Sequence, residues 1–224
     1  MGNKTAKHFG FFFASLIPTF LVILLILLSV IGVVSAGGSS NSTTGKRTRL
    51  TAQEVAQKAN ISVERAEDVI KILNWQLSKE KFTLEGASGS LANAERESDF
   101  DPKLTNPSGG VAGYFQWSGW DNTINGDRWR NASSRTLDST VELELMSYEL
   151  NHGYKKVKDY MQKATDPFES AKYWSEHYEG VSLSDGQTKL GKLEKDSKKW
   201  YEVFKGTIES DGSSGGNAIA GSAD

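Results

Sequence analysis

Residues 86–117 read GASGSLANAERESDFDPKLTNPSGGVAGYFQW and divide into a helix, a turn and a short aromatic return. Gly86, Ala87, Gly89, Ala92 and Ala94 would make a poor isolated helix, because a glycine costs about 1 kcal/mol against alanine in a helix interior. The same small residues suit a helix pressed closely on its neighbours. Ala87, Leu91, Ala94 and Ser98 recur at helical spacing as a stripe for burial, beside a polar row of Ser90, Asn93 and Glu97. Pro102 disfavours helical geometry at Asp101, so the helix should stop near Asp99, and Asn106-Pro107-Ser108-Gly109-Gly110 marks a turn. Residues 111–117 then lie back across the helix end as a strand or hairpin arm.

Glu97 therefore stands at the exit of a buried helix. Desolvation and the neighbouring charges of Glu95, Asp99 and Asp101 both disfavour its ionised form, which suits a carboxyl that must hold a proton and donate it to a glycosidic oxygen. On charge pattern alone, the same four carboxylates are equally the solvated edge of a helix and its exit loop.

Glu97-Ser98-Asp99-Phe100-Asp101-Pro102, the glycine turn, and Gly113-Tyr114-Phe115-Gln116-Trp117 together resemble the E-S-x-F-x-P … G-x-x-Q signature of peptidoglycan-cleaving enzymes of the lysozyme superfamily. Within that group they most resemble the phage tail lysozyme family and, more distantly, the lytic transglycosylase domain. The resemblance spans residues 83–180; residues 137–150 are similar to the helix that follows the aromatic motif, and residues 171–179 (AKYWSEHYE) to the terminal F-x-x-x-Y-E helix. It implies a mainly α, α+β lysozyme-like fold with a small β element beside the catalytic helix. It also implies cleavage of the β-1,4 linkage between N-acetylmuramic acid and N-acetylglucosamine in peptidoglycan glycan strands. Glu97 would be the catalytic acid, with Ser98, Gln116 and Glu179 along the substrate groove; for Glu179 a structural salt bridge is the alternative. Asp99 and Asp101 stand where the family usually has Gly or Ser and Asn, and Glu142 where it usually has Gln, so this chain is locally more acidic.

Around that core, Tyr114, Trp117, Trp120 and Trp129 offer flat rings for stacking on sugars, or else belong to the core. Asp121, Asp127 and Glu142 are candidates for a second carboxylate, and spacing does not choose among them. The choice of reaction stays open too: water activated by a second carboxylate gives hydrolysis, whereas attack by the muramoyl 6-hydroxyl gives an anhydro sugar. No metal or organic cofactor is implied, since His152 and His177 lack paired-ligand spacing.

Composition bounds the rest. The chain has 224 residues, a net charge of -2 and no cysteine, which argues against a nucleic-acid partner and rules out disulfides and thiolate metal sites. Residues 9–36 carry no charge, and residues 16–34 are long enough to span a hydrocarbon core of about 30 Å. They read as an uncleaved membrane anchor, with a signal segment cleaved after Ala36 as the alternative. The catalytic domain would then sit outside the cell at the wall, opening it locally for a conjugation, secretion or phage-derived machine. Residues 37–47 form a Gly/Ser-rich linker, residues 48–206 the domain, and residues 207–224 a disordered tail. Thr51-Ala52-Gln53-Glu54 is a capping box opening a helix pair that runs to Leu77. A membrane-tethered DNA-binding protein would use that pair, but Glu64, Glu67 and Asp68 stand where phosphate contacts want Lys or Arg. A noncatalytic wall-binding module is the other rival.

Overall fold

A computed structural model describes residues 45–210. The expected anchor at residues 1–36, residues 37–44 of the linker and the tail beyond residue 210 lie outside the described residues. Among the described residues, no helix is long and apolar enough to cross a membrane.

The helix at the centre, α3 (Leu84–Ser98), is capped by Thr83, whose hydroxyl accepts the Gly86 N–H. Its small residues do what their crowding suggests. A Cβ at Gly89 would come within 2.5 Å of the Ala171 nitrogen on α6 (Pro167–His177), and one at Gly86 within 2.4 Å of the Met161 carbonyl at the end of α5 (Lys155–Met161). Two members of the polar row beside the stripe, Ser90 and Asn93, are fully buried. Ser90 accepts from Gln76 at 2.7 Å, and Asn93 donates to the carbonyls of Gly89 and Ala171 at 2.9 and 3.0 Å. Burying these side chains is tolerable because each makes at least one hydrogen bond, although Gln76 Oε1 and Asn93 Oδ1 have no partner among the described residues.

Two helices precede α3: α1 (Ala52–Ala59), opened by the expected capping box at Thr51 and Glu54, packs on α2 (Val63–Ser78), which is capped by Ser62 and packs on α3. Asn60 joins them in the left-handed conformation that asparagine tolerates. After α3 a three-stranded antiparallel sheet forms in sequence order, β2 (Thr105–Asn106), β3 (Val111–Ala112) and β4 (Trp117–Ser118). It is the expected small β element, set back from the helix end by one more strand than residues 111–117 alone supply. Then come α4 (Ser139–Asn151), capped by Asp138, α5, α6 and α7 (Leu190–Phe204). Ala87, Leu91, Phe100, Phe115, Trp117, Trp174 and Trp200 are fully or almost fully buried at the centre of the core.

The first and last described segments meet. β1 (Lys46–Thr48) pairs antiparallel with β5 (Ile208–Ser210), so the domain reaches past both expected boundaries, 47 on the linker side and 207 on the tail side. Composition concealed this, because short polar strands carry no hydrophobic alternation to announce them.

Candidate functional site

The signature residues divide into those that build the exit of α3 and those that remain free for chemistry. Asp99 and Phe100 both take positive φ (55° and 63°), which turns the chain sharply and drives Phe100 into the core against Trp200, edge to face at 5.2 Å. Ser98 is buried, and its hydroxyl donates to the Ala94 and Tyr114 carbonyls at 3.2 and 2.9 Å. Gly113 has φ 86°, and a Cβ there would stand 2.6 Å from the Glu142 carboxylate. Gln116 closes the turn: its side chain donates to the Leu104 and Gly113 carbonyls, both at 3.0 Å. Ser98 ties the sheet to the end of α3, and Gly113 and Gln116 shape the turn that it holds. Glu97 is the signature residue whose polar end does not hold the sheet, and its side chain keeps 23% of its surface.

Glu97 does not stand among the carboxylates that neighbour it in sequence. Glu95 turns to α7, accepting from Lys199 at 2.7 Å and from the Trp200 indole at 2.7 Å; Asp99 pairs with Arg65; Asp101 accepts the Lys103 N–H at 2.8 Å. The helix presents residues 95, 97 and 99 in three different directions, so adjacency along the chain did not become proximity. Arg96 instead grips Glu97: Nε and Nη2 both donate to Oε1, at 3.0 and 2.7 Å, while Nη1 donates to the Ser175 hydroxyl on α6 at 3.0 Å.

The carboxyl group brought beside Glu97 is that of Glu179, just past the end of α6. Trp174 donates its indole N–H to Glu179 Oε1 at 2.9 Å. Burial, and after it the charge of Glu97, push Glu179 up to about 8, against the opposing influence of Arg128, the Trp174 hydrogen bond and Arg96. Arg128 is fixed in turn: Nε and Nη2 donate to the two Glu149 oxygens at 2.8 and 2.6 Å, Nη1 donates to the Tyr178 carbonyl at 3.3 Å, and the guanidinium covers the Tyr178 ring at 4.6 Å. Two carboxyl groups from different elements thus sit between two anchored arginines. A second negative charge in such a place is disfavoured, and Glu179 keeps its proton near neutral pH.

Several expected substrate contacts turn out to be structural. Tyr114 is fully buried and its hydroxyl donates to Asp68 and Ser139 at 2.7 and 2.8 Å, so it cannot stack on a sugar. Trp117 is equally buried, with its indole N–H shared between Glu149 and the Tyr178 hydroxyl at 3.0 and 3.1 Å. Trp129 is core as well, while Trp120 stays half-buried beside it at 4.8 Å with the Arg135 guanidinium over its ring. Ser98 serves the sheet as described above, and Gln116 does so with one edge open to solvent.

The candidates for a second carboxylate fare similarly. Glu142 has no exposed surface, accepts the Tyr114 N–H at 2.8 Å, and is pushed up to about 9, chiefly by burial and further by the charges of Asp138, Asp68 and Asp101. It props the sheet from beneath. Asp127 accepts the Arg130 N–H at 3.2 Å and lies against Gly119; Asp121 is exposed on the same loop, and neither shares a contact with Glu97 among the described residues. Arg96, Arg128 and Glu149 were missed. Glu142 and Glu149 stand seven residues apart on an apolar helix, and that spacing of charges within a buried stripe was a usable signal.

Among the described residues, no group of three or more His, Cys, Asp or Glu could hold a metal ion. A family model described as phage tail lysozyme matches residues 64–204, which takes in α2 through α7 and every residue of the pair and its clamps. No curated protein and no solved structure matches the chain.

Proposed function

Because the chain belongs to the phage tail lysozyme family over residues 64–204, we propose that it cleaves the β-1,4 bond between N-acetylmuramic acid and N-acetylglucosamine in peptidoglycan, with Glu97 as the general acid. The observation that carries this reading is the Glu97–Glu179 pair. Glu179, kept protonated by burial, supplies the pair with the proton that a glycosidic oxygen must receive through the partly exposed Glu97, and positive charge developing at the anomeric carbon is stabilised by the carboxylate left behind. Arg96 fixes the Glu97 rotamer, so the donor is aimed before substrate arrives.

The same pair serves either outcome at the anomeric carbon. In hydrolysis the two carboxyls share the roles of acid and base; in transglycosylation Glu97 takes back a proton from the muramoyl 6-hydroxyl, and the product is lighter by one water. Residues 16–34, by their length and lack of charge, support a domain anchored in the membrane and facing the wall. Wall opening for a conjugation, secretion or phage-derived machine fits such a tether.

Mass spectrometry of fragments released from purified peptidoglycan tests the proposal. The wild-type protein should release muropeptides ending in reducing or anhydro muramic acid, and Glu97→Gln should slow release by about 10²–10⁴-fold. Equal release by the variant would remove Glu97 from the role, and absence of release by the wild type would leave a wall-binding module.

A further inference from the structure

Two clefts open on either side of the turn between α4 and α5, sharing Gly153 and Tyr154 as a common wall. The first has a volume of about 540 Å³ and the second about 700 Å³, each within the usual range for sites that take small or extended ligands. Arg128 and Arg130 line the first, Lys155 and Lys156 the second. Against these four cations stand Asp127, held at the Arg130 N–H, and Glu149, neutralised by Arg128. Arg130, Lys155 and Lys156 are exposed and make no ion pair among the described residues. In a chain of net charge -2, this is a local excess of positive charge among the residues lining the two clefts. Flat rings flank it: Tyr148 stacks on His152 at 4.1 Å in the first cleft, and Tyr173 lies 4.2 Å from His177 in the second.

Arg128 ties this trough to the acid pair. It lines the first cleft, hydrogen-bonds the backbone next to Glu179, and lowers the Glu179 carboxyl by its charge. Through Arg128 the first cleft is linked to the backbone next to Glu179. In peptidoglycan, the muramoyl residue at the cleaved bond carries a stem peptide with free carboxylates.

We propose that the trough on both sides of Gly153 and Tyr154 binds the anionic stem peptide of the strand being cut, making this a lyase or hydrolase selective for peptide-bearing glycan. The inference rests on the function proposed above. Charge complementarity selects this occupant: neutral sugar rings leave Arg130, Lys155 and Lys156 without partners, and carboxylates supply them.

Steady-state cleavage of soluble glycan oligomers, with stem peptides present or removed by an amidase, gives the test. The wild type should show a KM about tenfold lower for the peptide-bearing oligomer at low salt, narrowing as salt screens the contacts. Arg130→Gln/Lys155→Gln/Lys156→Gln should abolish that preference with kcat unchanged, whereas Lys58→Gln/Lys79→Gln/Lys195→Gln, with the same change of net charge elsewhere, should keep it. Gly153→Glu gives an independent check: a side chain there meets nothing within 4 Å, so the protein folds and the new carboxylate should repel the stem. Equal KM values for the two oligomers in the wild type, or a preference that survives the trough substitutions, would overturn the trough while leaving the cleavage proposal intact. Loss of affinity for a polyol-phosphate wall polymer with the stem preference unchanged would overturn it in favour of phosphate. Failure of the wild type to cut either oligomer would sink the proposed function itself.

Discussion

The chemistry of this domain comes down to where individual protons rest. With Glu179 raised to about 8 by burial and by Glu97, the pair loses its last proton as pH climbs through that value, so kcat/KM should fall on the alkaline side near pH 8. Glu179→Gln takes away both the burdened carboxyl and the negative neighbour of Glu97; the alkaline limb should move to lower pH, which a profile from pH 5 to 10 would reveal. An unmoved limb would dissociate Glu179 from the acid. Glu142 poses the opposite problem, since it is buried with no catalytic access. Its folded value of about 9 lies above its unfolded one, so the folded state binds the extra proton and stability from this group is complete below about pH 4.5 and drains away as pH rises to about 9. Glu142→Gln keeps an acceptor for the Tyr114 N–H and has no charge to bury. Its Tm should match the wild type near pH 4 and exceed it by about 5 °C at pH 8, measured by calorimetry at both values.

At the level of elements, the contact between α3 and α6 sets helix propensity against packing. Alanine is the better helix former by about 1 kcal/mol, yet Gly89→Ala would place a methyl 2.6 Å from the Ser170 Cβ and 2.5 Å from the Ala171 nitrogen. Overpacking of that kind costs about 1–3 kcal/mol, so urea unfolding should show net destabilisation. Gly191→Ala on α7, where an added Cβ meets nothing within 4 Å, should be neutral or stabilising by about 0.4–1 kcal/mol. The glycine-rich stretch of α3 made that close approach legible before any coordinates, and the capping box at Thr51 and Glu54 marked the start of α1. What stayed illegible was the direction of polar and aromatic side chains. Tyr114 and Trp117 look the same in sequence whether they face a groove or the core, and their partners Asp68 and Glu149 lie 46 and 32 residues away. The pairing of Glu97 with Glu179 was hidden for the same reason: periodicity ranks residues by face within one helix and is silent about which faces meet.

Across the whole molecule, the pairing of β1 with β5 joins the first and last described segments of the domain. Beyond the three-residue register, the Thr48 and Thr207 hydroxyls share a hydrogen bond at 3.0 Å, the Arg49 N–H donates to the Thr207 carbonyl at 2.9 Å, and the Thr48 N–H donates to Asn74 Oδ1 on α2 at 2.9 Å. Contacts spanning 159 residues close the chain on itself, so a pull arriving along the linker reaches α2 and β5 before it reaches α3 or the acid pair. The clamp should therefore matter to stability and not to turnover. Thr207→Val removes one buried hydroxyl and leaves its partner bonded to the Leu50 N–H, and should cost about 1 kcal/mol. A domain cut to residues 49–206 loses both strands and should cost more, while kcat on soluble glycan oligomers stays that of the 45–210 domain at temperatures where both are folded. A parallel loss of kcat in the folded, shortened domain would mean that the clamp reaches the carboxyl pair through α3, and that closing the chain is part of how Glu97 is held.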